Sequence, residues 1–155
     1  TYGGAGMREP LQVLQARTGT CSGKHILLRD LLREAGYEAS VVTIFTHFNK
    51  GIPVNDGMGD ELQSIIRNAV VPDFHHFVRL TVNGEVMDLD ATWGDALMAY
   101  GFSVNADWAG RENSRLAGAV LQEFPPVEDV VDLKRQKLSG LSREDLALRA
   151  RFRLV

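Results

Sequence analysis

The sequence predicts an α+β fold in which a helix packs on an antiparallel sheet. Three observations predict it. An apolar pattern at helical spacing follows Cys21: Leu28, Leu31, Leu32 and Ala35 fall on one side of a helix. A run of nine residues from Glu38 to Thr46 is rich in β-branched side chains and reads as a strand. Asn83-Gly84 stands between two alternating segments, 74–82 and 85–92, and marks a hairpin closed by a two-residue turn.

Taken in order, residues 1–8 are expected to be a flexible lead-in. Pro10, with Leu11, Val13 and Leu14 behind it, predicts a short helix ending near Thr18-Gly19, since proline is tolerated in a first turn. The main helix is expected over residues 21–35. Thr20 stands as its cap and Gly36 as its stop. Residues 48–58 carry Gly51, Pro53, Asn55, Asp56 and Gly57 and form a loop. Residues 60–70, with Leu62, Ile65, Ile66 and Ala69, read as an amphipathic helix. Loop and helix make an excursion between two strands.

The hairpin is the clearest local signal. With Asn83 and Gly84 in the turn, Val82 faces Glu85, Leu80 faces Met87 and Val78 faces Leu89. Alternation then sorts the side chains. His76, Val78, Leu80, Val82, Met87 and Leu89 share one face. His75, Phe77, Arg79, Thr81, Asp88 and Asp90 share the other. Beyond Gly94 the pattern weakens. Residues 95–100 are expected to form a turn of helix. Residues 105–123 carry Trp108 and the apolar set Leu116, Ala119, Val120 and Leu121, a stretch broken at Phe124-Pro125-Pro126. Ser142 with Asp145 reads as the cap of a last helix through Leu154, whose arginines are expected to form a solvated face.

Composition bounds the function. The chain has 155 residues, 45% apolar and 24% charged, with a net charge of −3. That length predicts a single domain, 1–155. The acidic balance argues against a nucleic-acid partner, and the apolar runs are too short for a membrane span. The one cysteine cannot form an internal disulfide, which fits a cytoplasmic location.

That cysteine opens the main helix. Free N–H groups and the positive dipole end there favour a thiolate. A cysteine at a helix start, a histidine on a strand and an aspartate on the paired strand form an ordered triad. Cys21 attacks a carbonyl carbon, His75 holds the thiolate and later protonates the leaving group, and Asp90 orients the imidazole. The backbone N–H of Cys21 is a natural oxyanion donor. His76 is the alternative base if a bulge swaps the faces of the two histidines. Asp88 shares the triad face.

The segment Arg17-Thr18-Gly19-Thr20-Cys21, followed by a helix ending in Leu32-Arg33-Glu34-Ala35-Gly36, resembles the nucleophile region of the transglutaminase-like superfamily. His75-His76-Phe77 and Asp88-Leu89-Asp90-Ala91-Thr92-Trp93 resemble its second signature, a histidine opening one strand and Asp-x-Thr closing the next. The resemblance covers about residues 9–93, leaving 94–155 as an extension of the same domain. It implies a papain-like core and acyl transfer through a thioester, with Cys21, His75 and Asp90 as the triad. It also implies a peptide or protein amide substrate and either water or an amine as acceptor. The short chain favours hydrolysis. Two positions depart from the pattern: Phe77 stands where the family often has tryptophan, and Ala91 where it often has proline.

The family's oxyanion helper has no clear counterpart. Gln15, six residues before the cysteine, Thr20 and Trp93 are the candidates for oxyanion or substrate contact. His25 is expected to pack beside the helix and His47 to be exposed. Cys21, His47, His75 and His76 lack paired-ligand spacing, so no metal and no cofactor is expected. The alternative reading is a catalytically inactive binding module of the same shape, because fold does not dictate function.

Overall fold

The computed structural model describes Gly3 and residues 8–154. The rest of the lead-in expected over residues 1–8 lies outside the described residues. The fold is α+β: a four-stranded antiparallel sheet in the order β3-β2-β1-β4, with helices packed against it. The strands are β1 (Glu38–His47), β2 (Pro72–Val82), β3 (Glu85–Leu89) and β4 (Gln122–Phe124). The helices are α1 (Pro10–Ala16), α2 (Cys21–Glu34), α3 (Asp60–Asn68), α4 (Val130–Ser139) and α5 (Arg143–Leu154), with short 3₁₀ turns at Phe48–Gly51 and Asp95–Tyr100. No described helix is long and apolar enough to cross a membrane.

Local chemistry explains most of these bounds. Thr20 caps α2, its side chain accepting from the Gly23 N–H, and Gly36 follows the helix at φ +86°. Asn83 and Gly84 both take positive φ, +52° and +83°, as a type I′ turn demands. The hairpin register pairs Val78 with Leu89, Leu80 with Met87 and Val82 with Glu85. Val78, Leu80, Leu89, Val41 and Val130 form one core cluster, against which Ile26, Leu28 and Leu32 of α2 pack. Phe77, Val42 and Ile44 form a second cluster with Leu116. Each fully buried side chain of this kind contributes roughly 1.5–3 kcal/mol. A one-residue slip would exchange Val78 and Leu80 for Arg79 and Thr81, so the register is strongly held.

The excursion between β1 and β2 is tied down at Asn49. Its buried amide donates to the carbonyls of Ile65, Ile66 and Ala69 at 3.0–3.3 Å and accepts from the Val71 N–H at 2.9 Å. It thereby satisfies the open end of α3.

The second half departs from the sequence reading. Residues 105–121 form no helix, and Ala119, Val120 and Leu121 are exposed. The segment runs in an irregular path to β4, which adds to the free edge of β1 through Thr43–Phe124 and Phe45–Gln122. Helix α4 was not expected at all. Asp129 caps it by accepting from the Asp132 N–H, and buried Val130 anchors it on the core. The arginines of α5 are not a uniformly solvated face. Arg149 pairs with Asp73 at 3.1 Å and is largely buried, and Arg151 pairs with Glu61. Charge pairing, rather than an apolar stripe, docks this face.

Candidate active site

Cys21 is the first residue of α2 and is only 3% exposed. The first-turn position leaves its backbone N–H without an intrahelical acceptor. Its carbonyl is fixed from one turn along: His25 Nδ1–H donates to Cys21 O at 2.8 Å, while His25 Nε2 accepts from the Ala91 N–H at 2.8 Å. The backbone donor at Nε2 means that the proton sits on Nδ1. Asp90 Oδ1, 3.4 Å from the same Nε2, is the weaker neighbour. His25 thus ties the first turn of α2 to the residue after Asp90, a role more specific than packing beside the helix. Lys24 reinforces the tie, donating to Thr92 O at 2.7 Å and to Ala91 O at 3.3 Å.

The two histidines take different partners. His75 Nε2–H donates to Asp90 Oδ2 at 2.7 Å. His76 Nδ1 lies 3.0 Å from the Ser22 hydroxyl. The β1–β2 ladder runs unbroken through both residues, Ile44 opposite His75 and Thr43 opposite His76, so no bulge swaps their faces. The remaining ring nitrogens, Nδ1 of His75 and Nε2 of His76, are buried and complete no hydrogen bond. Both rings nevertheless favour the ionised form of the Cys21 thiol.

Asp90 follows β3 directly and is saturated as an acceptor. Besides His75 it accepts from the Thr92 N–H at Oδ1 (2.8 Å) and the Ala117 N–H at Oδ2 (2.7 Å). Its own N–H donates to Ser114 Oγ, and its carbonyl accepts from Asn105 Nδ2 at 3.0 Å. The irregular segment 105–118 therefore wraps the aspartate. Asp88 is spoken for elsewhere, held by Arg79 in a two-pronged pair at 2.8 and 3.0 Å.

Electrostatics separates the roles. Burial opposes ionisation of Cys21, but the Lys134 ammonium and the two imidazoles outweigh it and hold the thiol well below its ordinary pKa. Burial also works against a proton on His75, yet the Asp90 carboxylate and then Cys21 raise that imidazole to about 9. Asp90 feels burial upward, but charged His75 and the bond that His75 donates hold it well below the usual carboxylate range. His76 is lowered, chiefly by burial. These directions describe a Cys21 thiol readier to ionise than a free one, a His75 charged at neutral pH and a neutral His76.

The other sequence candidates sit further out. Thr20 is the cap of α2. Gln15 is exposed on α1 and makes no hydrogen bond to the thiol's surroundings. Its helix ends at Ala16, four residues short of the cap. Trp93 packs on Phe102 (4.9 Å between ring centres) and Phe48 (5.9 Å), and Phe48 lies 6.4 Å from His75. The indole is thus one ring removed from the imidazole. His47 is half-buried against Phe45 rather than exposed.

One group escaped the sequence reading. Lys134, from α4, places Nζ 3.8 Å from Cys21 Sγ. It donates to Phe74 O and pairs with Asp73 Oδ1 at 3.2 Å. It is 113 residues from the cysteine, on a helix with no signature, so no motif pointed to it. Two surface hollows, about 640 and 270 Å³, lie elsewhere, and neither is lined by Cys21.

Comparisons with models of known protein families, with curated proteins and with solved structures each found no match to this chain.

Proposed function

We propose that the protein is a thiol-dependent acyl-transfer enzyme of the transglutaminase-like type, with a papain-like core and Cys21, His75 and Asp90 as its triad. The observation that carries this reading is the 2.7 Å bond from His75 Nε2 to a saturated, buried Asp90, with the same imidazole acting on a thiol at a helix start. The thiolate attacks the carbonyl carbon of an amide, and the carbonyl electron pair moves to oxygen. Collapse of that oxyanion expels the amine, which takes the proton from His75 Nδ1 and leaves a thioester on Cys21. Water, or an acceptor amine, then gives its proton to His75 and attacks the thioester, and the thiolate departs. Peptide or protein amides are the proposed donors, and hydrolysis is favoured over amine transfer.

A second reading, an inactive binding module, is favoured by one observation: Cys21 is only 3% exposed, with Lys134 of α4 laid against the sulfur. One experiment separates the two. Alkylation of Cys21 by iodoacetamide is followed from pH 4 to 10 in wild type and His75→Ala. An enzyme gives a reactive plateau reaching into acidic pH that collapses in the variant toward the free-thiol value of about 8.5. A wild-type thiol that rises only near that value, unchanged by the substitution, or that stays unreactive throughout, refutes the triad.

A further inference from the structure

Lys134 side-chain geometry is not that of a surface lysine. The side chain is 14% exposed, and its ammonium has three N–H donors to place. One goes to the Phe74 carbonyl, and the ammonium is ion-paired with Asp73 Oδ1 at 3.2 Å, a carboxylate itself held from the other side by Arg149 of α5. Those two anchors leave a donor facing Cys21 Sγ, at 3.8 Å. A long flexible cation is thereby fixed in direction before any substrate arrives.

The direction matters because of where charge develops. When the sulfur bonds to a carbonyl carbon, the carbonyl oxygen lies within about 3 Å of that sulfur. A donor 3.8 Å from the sulfur can therefore reach the ~2.7–3.1 Å at which a developing oxyanion is stabilised. We propose that Lys134 is a catalytic residue, the oxyanion donor of the Cys21 reaction, acting together with the Cys21 backbone N–H. This deepens the acyl-transfer reading and rests on it. It also supplies the donor that Gln15, exposed on α1, does not. A mostly buried ammonium held by two anchors needs little reorganisation as charge moves from sulfur to oxygen. Asp73 and Arg149 are positioning residues for it.

The test compares two single-turnover reactions of the same thiolate. Acylation by p-nitrophenyl acetate passes through an oxyanion and releases p-nitrophenolate, leaving an acetyl thioester on Cys21. Alkylation by iodoacetamide displaces iodide at a saturated carbon and forms no oxyanion. Any change in thiolate fraction cancels in the ratio of the two rates. Lys134→Met is expected to lower the ratio of acylation to alkylation by about 10²–10³-fold, the usual loss for one oxyanion donor. Lys134→Arg, which keeps the charge for Asp73, is expected to retain a ratio at least tenfold above that of Lys134→Met and guards against a folding defect in the latter. An unchanged ratio in folded Lys134→Met, or in Lys134→Gln should the methionine variant fail to fold, with the acidic alkylation plateau of the wild type intact, overturns the assignment and leaves the triad standing. A faster alkylation with an unchanged ratio would mean that Lys134 merely covers the sulfur, and overturns it equally. A wild type with no acidic plateau overturns both the triad and this role.

Discussion

Replacing Asp90 with asparagine removes the charge that keeps His75 protonated. The carboxylate accepts three hydrogen bonds at one buried point, from His75, Thr92 and Ala117. An amide has one acceptor oxygen, so its NH₂ must face an N–H whichever way it turns. The imidazole stands at about 9 against an ordinary value near 6.5. A rise of that size corresponds to about 3 kcal/mol of preference for the imidazolium. Without Asp90 the burial of His75 is unopposed from that side, so the imidazole falls to its ordinary value or lower. The thiolate then loses its cationic partner in the range where the pair matters. Iodoacetamide alkylation between about pH 6.5 and 9, where an ordinary imidazole is neutral and the wild-type one is charged, is expected to fall by at most about 10²-fold, the bound set by that free energy. Near pH 10, where the thiol ionises without help, the two proteins should converge to within a few-fold. A parallel loss at every pH would mean that the substitution disturbs access rather than ionisation. An unchanged profile would mean that His75 is not held by Asp90. Either result refutes the reasoning.

Two further outcomes follow from the same network. Gly51→Ala would bring a Cβ to 2.1 Å from the Ala117 carbonyl oxygen, and the Ala117 N–H is one of the bonds to Asp90. The segment must retreat, so denaturant unfolding should show a loss of about 2 kcal/mol or more, the worth of a charge-assisted bond plus strain. A stability within about 0.5 kcal/mol of wild type would show that the close approach is not needed. The second concerns pH. His75 is raised, so its contribution to stability is complete below about 6.5 and is lost as pH rises through about 9. In Cys21→Ser, where no thiol titrates in the opposite sense, unfolding free energy should decline across that window by at most about 3 kcal/mol. A flat profile over that window, read by denaturant titration, would contradict a raised His75.

Much of the first half of the chain was legible from local chemistry. A period of two between Phe74 and Thr92, with Asn83-Gly84 at its centre, set the hairpin register and with it the face shared by His75 and Asp90. Thr20 and Gly36 bracketed α2 and so put Cys21 at a helix start. These signals act between residues close in sequence, where each side chain's direction follows from its position in the element. The second half lacked such signals. β4 has three residues and exists because β1 offers an edge, and the path of residues 105–118 is set by bonds to Asp90 rather than by any period. Helix α4 carries the weaker pattern of a helix held by one buried valine and its cap.

By itself, then, the sequence determined the hairpin register, the start of α2 at Cys21 and the opposite faces of β2 on which His75 and His76 lie. Tertiary structure alone decided the rest. It put His25 between the Cys21 carbonyl and the Ala91 N–H, brought the Ala117 N–H onto Asp90, and laid Lys134 against the sulfur. The ties of His25 to Ala91 and of Lys134 to Cys21 span 66 and 113 residues, a spacing that carries no period. They are made only when the sheet has assembled and its helices have closed over it.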